Sequence, residues 1–456
     1  MRKEMFDHEI TILRDTYRRL LRRHARTNLI KLTTKTHPAD LATVFRYFTE
    51  DEQNQAFALM KDDEHTAEFL AELDDALVQD LLQEESPERI ASIIEKAPAN
   101  DQSDILGALS EERAQSVLEL LEQEEQEELA ELMGYPEDSA GAMMTTDVFT
   151  LHEGITSGDA IKTLQDQEDV EMVFYLYVTD DDNCLVGVVS LRALTITSSD
   201  TKLKDIMIKR VHSVRPETDQ EDVARVVAQY NFLAVPVIDP DEHLLGIVTV
   251  DDVVDVIREE ATEDFLQMAG AGKDREILLK SSWGNARARL PWLFASWVGG
   301  IIAVSLIGAF EHMLESIILL AAFIPVIIGM GGNIGTQSST IIVRGMATGR
   351  IDVGGELKVI FKEMRVGLIL GALYGLLLGF FANFAFKNAP PNLGLVVGLS
   401  ICVSMLVAAT VGTVIPLILR KLDIDPAVAT GPFVTTSIDI LGVLFYFIIA
   451  GTFLAV

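Results

Sequence analysis

The most constraining feature of this chain is a cluster of proline, glycine and carboxamide residues inside an apolar segment long enough to cross a membrane. Residues 325–337 read P-V-I-I-G-M-G-G-N-I-G-T-Q. Proline removes a backbone donor, and glycines weaken the helix that contains them. Irregular backbone is tolerated at membrane depth only where protein or water covers it. The sequence therefore predicts a broken helix that lines a cavity, a feature typical of membrane transport.

Five apolar segments of bilayer-crossing length are predicted in the last part of the chain. They cover residues 291–311, 317–343, 364–386, 393–419 and 431–455. Ten Lys and Arg residues flank them on the side of the preceding soluble region, whereas Lys387 stands alone on the opposite side. Because cytoplasmic loops carry the excess of basic residues, we predict a multi-pass protein of the cell (inner) membrane with a cytoplasmic N-terminus. A short interfacial helix is predicted over residues 351–362.

The formal charge of −32 lies entirely in the first part of the chain. Residues 1–289 contain 29 Lys and Arg against 61 Asp and Glu, whereas residues 290–456 contain 8 of each. This division predicts an acidic soluble body followed by a membrane domain over residues 286–456. So acidic a body excludes nucleic acid as a partner. Cys184 and Cys402 fall in different parts of the chain, which excludes a disulfide scaffold.

Residues 1–135 have a helical pattern with an internal repeat. H-P-A-D-L-A-T-V-F from position 37 resembles S-P-E-R-I-A-S-I-I from position 86, and both place a proline at a helix start. The offset of about fifty residues between the two segments predicts paired helices stacked as a small solenoid. Between Glu50 and Asp138 there are 28 acidic and 4 basic residues, forming either a solvated surface or a face that binds cations. Residues 1–35 are basic and predict an amphipathic helix that rests on the solenoid or on anionic lipid.

Residues 136–262 contain a second repeat, in which L-V-G-V-V-S-L-R-A-L matches L-L-G-I-V-T-V-D-D-V. Each unit is predicted as strand, helix, strand, strand, helix. The tandem resembles a pair of CBS domains, which often bind adenine nucleotides. The resemblance implies that a Thr/Ser-x-x-Asp element contacts ribose. Thr249 and Asp252 match it, whereas the first unit has Ser190 followed by Ala193. One ATP-type site at most is implied, and a dimerising module without nucleotide is the alternative.

An acidic helix is predicted at the end of the second unit. Its carboxylates recur at three-to-four-residue spacing, so several share one face, and a hard divalent cation would relieve their repulsion. A solvated helix is the alternative. Residues 263–285 are predicted as a connecting (plug) helix, placed to gate a pore. The candidate regulatory ligands on the acidic helix and the solenoid are Asp251, Asp252, Asp255, Glu259, Glu260, Asp101 and Asp104.

Asp439 lies well inside the fifth apolar span. An intramembrane carboxylate is costly and indicates an ion path by default. Thr436 offers a hydroxyl oxygen nearby. Two alternatives to a pore-lining role stay open. In the first, Asp439 is protonated and buried against another helix. In the second, Asn333 and Gln337 bridge helices by hydrogen bonds.

Nearly the whole chain resembles the MgtE family of magnesium channels. The family's P-x-x-x-G-x-G-G-N-x-G-x-Q signature is met in full, and its pore aspartate falls on Asp439. The resemblance implies a homodimer with its pore on the two-fold axis, passage of Mg²⁺ and closure at high cytosolic Mg²⁺. The signature residues are Pro325, Gly329, Gly331, Gly332, Asn333, Gly335 and Gln337.

We therefore predict a multidomain protein: a cytosolic all-α helical-repeat domain, an α/β tandem CBS domain and an all-α domain of five transmembrane helices. Its predicted function is Mg²⁺ uptake through a pore lined by Asp439, Asn333 and Thr436. The rivals are a secondary transporter for another divalent cation such as Co²⁺, and a nucleotide-gated transporter. The spans contain no His/Cys cluster of the kind that softer metals favour. An enzyme is not expected, because the chain has neither a P-loop nor a nucleophile elbow.

Overall fold

A computed structural model describes residues 2–166, 174–272, 277, 281–351, 354–386, 389–422 and 424–454, without the side chains of residues 2–7 and 429–430. Two of the charges used to predict topology, Lys280 and Lys387, lie outside the described residues. The chain divides into two compact units, Met1–Ile257 and Arg258–Val456.

The first unit begins with short helices stacked around one apolar core. Pro38 and Pro87 occupy first helical positions, where the missing N–H costs nothing, and Ser86 caps its helix by accepting from the Arg89 backbone N–H at 3.3 Å. This confirms the two helix starts that the internal repeat predicted. The helices are α1 (Arg2–Arg22), α2 (Arg26–Thr33), α3 (Pro38–Phe45), α4 (Glu50–Phe57), α5 (Asp63–Ala71), α6 (Asp75–Leu82), α7 (Pro87–Ile94), α8 (Ala99–Gly107), α9 (Glu111–Leu118) and α10 (Gln123–Leu132).

The basic segment at the start of the chain packs on this solenoid. Tyr17 is fully buried in the core and donates a hydrogen bond to the Thr33 hydroxyl at 3.2 Å. Arg18 pairs with Glu52 of α4, with 3.2 Å between Nε and Oε2. The structure thus favours the solenoid over a lipid surface as the partner of α1.

The second part of the first unit contains two α/β repeats. In the first repeat β1 pairs in parallel with β2, and β2 is antiparallel to β3; in the second, β4 is antiparallel to β5. The elements are α11 (Ala140–Met143), β1 (Thr150–His152), α12 (Ser157–Gln165), β2 (Tyr175–Thr179), β3 (Leu185–Ser190), α13 (Leu191–Ile196), α14 (Leu203–Ile206), α15 (Gln220–Tyr230), β4 (Ala234–Ile238) and β5 (Leu244–Thr249).

The prediction of a first strand in the second repeat is wrong. Only an isolated parallel bridge joins Val214 to Val237. Pro216 follows two residues later, and proline has no N–H to donate to a ladder. Pairing therefore stops after a single bridge.

The second unit contains long apolar helices. Five of them, within the described residues, are long and apolar enough to cross a membrane, which confirms the predicted number of spans. They are α17 (Ser282–Ala309), α19 (Leu319–Ala347), α20 (Glu356–Ala385), α21 (Leu393–Lys421) and α22 (Pro432–Phe453); the shorter α18 (Glu311–Ser316) and a 3₁₀ turn (Pro426–Thr430) lie between them, and α16 (Val250–Met268) precedes them.

Three predicted features of this unit are wrong. α19 is one continuous helix with Pro325 inside it, so the glycine-rich segment is not broken. Residues 356–362, predicted as an interfacial helix, form the start of α20. The predicted connecting helix ends at Met268, and residues 282–285 already belong to α17. Gly270 and Gly272 have φ values of +70° and +98°, in the left-handed region that terminates helices. Residues 273–276 and 278–280 lie outside the described part.

Glycines at four-residue spacing join α20 to α21. A Cβ on Gly371 would lie 2.8 Å from the Cys402 carbonyl oxygen, and a Cβ on Gly379 would lie 2.6 Å from that of Gly394. Such close backbone approach is the usual way that small residues pack helices in membranes. The glycines of this stripe are Gly367, Gly371, Gly375 and Gly379, all buried.

Candidate functional site

Two of the four signature glycines of α19, Gly331 and Gly335, form a notch that receives Ile438 of α22. A Cβ on Gly331 would lie 3.1 Å from Ile438 Cγ2 and 2.9 Å from the Ser404 hydroxyl, and a Cβ on Gly335 would overlap the Ile438 side chain. Ile438 is 1% exposed. Gly331 and Gly335 therefore serve close packing rather than helix breakage. Their effect is to fix the position of the residue that follows Ile438, which is Asp439.

Asp439 is half-buried on α22. Among the described residues no hydrogen-bond or ion-pair partner is found for its carboxyl group, so the alternative of a protonated Asp439 bonded to another helix gains no support from this structure. Asn333 and Gln337 lie four residues apart on an exposed face of α19, also without a partner in the described part of the chain. They do not bridge helices among the residues that the structure describes. Both α19 and α22 therefore carry polar side chains without a partner among the described residues.

Thr436 has a packing role that the sequence did not indicate. A Cβ on Gly299 of α17 would overlap the Thr436 methyl group, so this side chain sits directly against the α17 backbone. The contact holds α17 against α22 one turn from Asp439. Its role as an ion ligand stays a prediction.

Glu363 is a second acidic residue of the membrane unit that the sequence analysis missed. It is 6% exposed and accepts a hydrogen bond from the Ser338 hydroxyl of α19 at 2.9 Å. Glu363 lies four residues before Gly367 and continues the glycine stripe of α20. Because Lys362 and Arg365 flank Glu363 in the sequence, this segment had the charge pattern of a solvent-exposed helix end. The four-residue spacing to the glycines was the signal that could have found it.

The predicted nucleotide pair Thr249 and Asp252 is brought together. Thr249 Oγ1 donates to Asp252 Oδ2 at 2.5 Å. The other oxygen of this carboxylate, Oδ1, accepts from the Asn100 side-chain amide of α8 at 3.4 Å. The same amide nitrogen lies 3.3 Å from Asp101 Oδ1. One amide thus links an acid of the solenoid to an acid of the second α/β repeat.

This acidic junction has an unsatisfied oxygen. Asn100 is 7% exposed, and its Oδ1 is buried without a hydrogen-bond partner among the described residues. Burial raises the pKa of Asp252 to about 6, the charges of Asp251 and Asp255 add to the rise, and the hydrogen bond from Thr249 opposes it. Carboxylate and amide oxygens around an orphaned acceptor fit a hard divalent cation. The sequence analysis missed Asn100 because it sought acids alone.

The remaining predicted regulatory acids lie along α16 and α8. α16 is helical throughout its length, as predicted, with Val253 and Val256 buried beneath the acids. Asp251, Asp255 and Glu259 are exposed, Glu260 is half-buried, and Asp104 is exposed on α8. Asp255, Glu259, Glu260 and Asp104 already have interaction partners in the structure.

The end of α16 contacts the start of α22 within the second unit. A Cβ on Gly431 would lie 3.5 Å from the Gln267 carbonyl oxygen, and a Cβ on Gly270 would lie 3.6 Å from Pro432. Burial raises the pKa of Asp264 to about 6, the charge of Asp425 adds to this rise and that of Arg344 opposes it. The acidic helix therefore ends against the residues that begin the helix bearing Asp439.

A helical solenoid, a pair of α/β repeats and five membrane-length helices, one of which bears Asp439, define a membrane transporter with soluble domains. Family profiles match the chain in the same order: an MgtE intracellular N domain over residues 36–138, CBS domains over 140–197 and 203–259, and a divalent cation transporter domain over 324–449. The chain belongs to the MgtE family of divalent cation transporters, which confirms the resemblance seen in its sequence.

Individual relatives extend over most of the chain. The chain is 35% identical to a magnesium transporter MgtE of Bacillus subtilis, covering 91% of this chain and 92% of the relative. It is 39% identical to the Enterococcus faecalis magnesium transporter MgtE, covering 71% of each. A crystal structure of the cytosolic domain of the Mg²⁺ channel MgtE in complex with ATP is 32% identical, with a TM-score of 0.51, and covers 53% of this chain and 99% of that one.

Proposed function

We propose that this protein is a Mg²⁺-selective channel or transporter of the cell (inner) membrane, and not an enzyme, and that Mg²⁺ binding to its cytosolic domains closes it. The observation that carries the proposal is Asp439, a carboxylate without a partner among the described residues, on a membrane helix held in register by the Gly331–Gly335 notch. Full-length relatives named as magnesium transporters support Mg²⁺ as the substrate. The excess of basic residues on one side of the spans supports a cytoplasmic N-terminus.

The pore is proposed to act on hydrated Mg²⁺. This ion releases water reluctantly and prefers octahedral oxygen coordination, so a carboxylate that contacts its water shell suits it. In a homodimer two copies of Asp439 would face the same axis, and Asn333 and Thr436 would add amide and hydroxyl oxygens. Asn333 and Gln337 lie on an exposed face of α19 and have no partner among the described residues, and we assign this face to the axis.

Uptake by purified protein in liposomes tests this assignment. Asp439→Asn removes the charge at nearly constant volume, and we expect Mg²⁺ entry to fall to the level of protein-free vesicles. Glu315→Gln is the matched control, because Glu315 is an exposed acid at the end of α18. Wild-type entry in well-folded Asp439→Asn would remove this residue from the ion path.

Closure is proposed to begin at the junction of α8 with α16. A Mg²⁺ ion among Asp101, Asn100 and Asp252 would satisfy the orphaned amide oxygen and neutralise the facing acids. The acids along α16, including Asp255, Glu259 and Glu260, would bind further ions. Because α16 continues to the residues that begin α22, its ordering would act on the helix that carries Asp439. Such coupling requires tighter Mg²⁺ binding to the closed form.

A nucleotide-gated transporter is the alternative that one comparison favours, since a related cytosolic domain was solved with ATP. Thr249 and Asp252 are the proposed ribose contacts, and their present hydrogen bond would have to open to accept a hydroxyl group. Calorimetric titration of ATP against wild type and Thr249→Val tests this site. A loss of binding in the variant, with ATP-dependent flux that is independent of cytosolic Mg²⁺, would favour the alternative.

A further inference from the structure

The first turns of α20 carry their basic residues on one exposed face. Lys358, Lys362 and Arg365 follow one another at spacings of four and three residues, so they lie within an arc of about 60° around the helix. All three side chains are exposed. The face therefore presents three positive charges in a row, at one end of a helix that is long and apolar enough to cross a membrane.

Neither acid of α20 neutralises these charges. Glu356 pairs with Lys421 of α21. Glu363 is buried on another side of the helix, where it accepts a hydrogen bond from the Ser338 hydroxyl. The three basic residues have no ion-pair partner in the described part of the chain. Their charges are therefore available to an anion from outside this unit.

The same face of α20 is apolar further along the helix. Ile369, Leu376 and Phe380 continue the line of the basic residues, and each is exposed by 67% or more. At about 1.5 Å per residue, Ile369 and Phe380 lie roughly 16 Å apart along the helix axis, which is close to half of a hydrocarbon core of about 30 Å. One face thus combines a cationic end with an apolar strip as long as one leaflet.

We propose that this face of α20 binds an anionic phospholipid. The headgroup phosphate lies among Lys358, Lys362 and Arg365, and an acyl chain follows the apolar strip. An acidic protein segment would match the charges alone, and an apolar helix would match the strip alone, whereas a phospholipid matches both. The proposed cytoplasmic N-terminus assigns this lipid to the cytoplasmic leaflet, but the binding itself does not depend on that orientation.

Native mass spectrometry of the purified full-length protein in detergent tests this site. Phosphatidylglycerol and phosphatidylcholine with identical acyl chains are added in equal amounts. We expect the wild type to retain phosphatidylglycerol preferentially. The triple variant Lys358→Gln/Lys362→Gln/Arg365→Gln is expected to bind it at least about tenfold more weakly, because each basic residue near the headgroup adds to the attraction. Glycerol 3-phosphate, an anion without acyl chains, should not displace the lipid.

The matched control is Lys204→Gln/Lys209→Gln/Arg210→Gln, which removes the same three charges from exposed positions of the first unit. It should retain phosphatidylglycerol as the wild type does. Equal retention of the two lipids by the wild type would overturn the proposal, and so would unchanged retention in the α20 variant. Displacement by glycerol 3-phosphate would assign the charges to a free anion instead. A change in the oligomeric mass of the α20 variant, with lipid retention unchanged, would assign the face to a second copy of the chain.

Discussion

Asp252 is bonded to Thr249, which the sequence motif pairs with it, and to Asn100, which the sequence could not place nearby. Thr249 donates to one of its oxygens, and Asn100 donates to the other from a helix more than 150 positions earlier in the chain. Burial among further acids raises its pKa to about 6. A carboxyl with this pKa is mostly ionised at neutral pH and takes up a proton under mildly acidic conditions. On the proposed assignment of Asp252 as a Mg²⁺ ligand, protons therefore compete with the ion.

Acidification is expected to weaken regulatory Mg²⁺ binding. Between pH 7.5 and pH 5.5 a carboxyl of pKa about 6 loses most of its ionised form, which predicts about a fourfold rise in the Mg²⁺ concentration needed to protect the soluble domains from protease. Asp252→Asn should bind more weakly and lose most of this pH dependence. An equal pH dependence in wild type and Asp252→Asn would contradict the assignment.

The same raised pKa has a consequence for stability without Mg²⁺. The folded protein binds a proton at Asp252 more tightly than the unfolded chain does, so this group stabilises the fold fully below its unfolded pKa and loses that contribution as pH rises through 6. We expect the melting temperature of the Mg²⁺-free protein to rise on acidification from pH 7 to pH 5, and less so in Asp252→Asn. A melting temperature that falls equally in both would count against the buried carboxyl.

At the residue scale, sequence reasoning found groups whose chemistry is unusual for their position. Asp439 was identifiable because a carboxylate in an apolar span has few structural explanations. Thr249 and Asp252 were identifiable from a motif with fixed spacing. Asn100 and Glu363 were not, because an amide in a polar helix and an acid beside Lys362 look solvated until the fold buries them.

At the element scale, the glycine stripe of α20 determines how closely it packs on α21. Because Gly371 faces the backbone of Cys402, a methyl group there must push the helices apart. We expect Gly371→Ala to reduce the free energy of unfolding in detergent by about 1–3 kcal/mol, as for overpacked cores. Gly300→Ala is the matched control, since a Cβ there meets nothing within 4 Å. Equal stability of the two variants would show that the stripe is not a packing contact.

The elements also show where local sequence rules fail. Proline and glycine predicted a break in α19, but the helix is continuous. Side chains of α22 and α21 occupy the space beside its glycines at 331 and 335. Helix-breaking residues are tolerated in membranes where neighbouring helices compensate for them. The pattern identified the right segment but not its conformation, because conformation there depends on contacts with helices far away in sequence.

At the scale of the whole molecule, the uneven distribution of charge between the soluble body and the membrane domain is the property on which the proposed function depends. The acidic body carries the entire formal charge of −32, and facing acids repel one another until a cation lies between them. Sequence alone gave the order of the three regions and the number of spans, since charge and hydropathy differ so sharply between them. It did not give the α8–α16 junction, which arises only when the solenoid and the CBS tandem pack together.

Mg²⁺ is expected to make the soluble domains more compact. Limited proteolysis of the full-length protein should slow as Mg²⁺ rises from the micromolar to the millimolar range, and Na⁺ at equal ionic strength should not substitute for it. Asn100→Ala should shift the response to higher Mg²⁺, whereas the exposed Asn54→Ala should not. Identical digestion with and without Mg²⁺ would contradict closure by bridging cations.

Mg²⁺ flux through purified protein in oriented liposomes, with the concentration on the side of the soluble domains varied, tests the central claim most directly. We predict rapid entry when Mg²⁺ there is micromolar and strong suppression when it is millimolar, with no entry at either concentration in Asp439→Asn. Liposomes that remain impermeable to Mg²⁺ at every internal concentration would contradict the account.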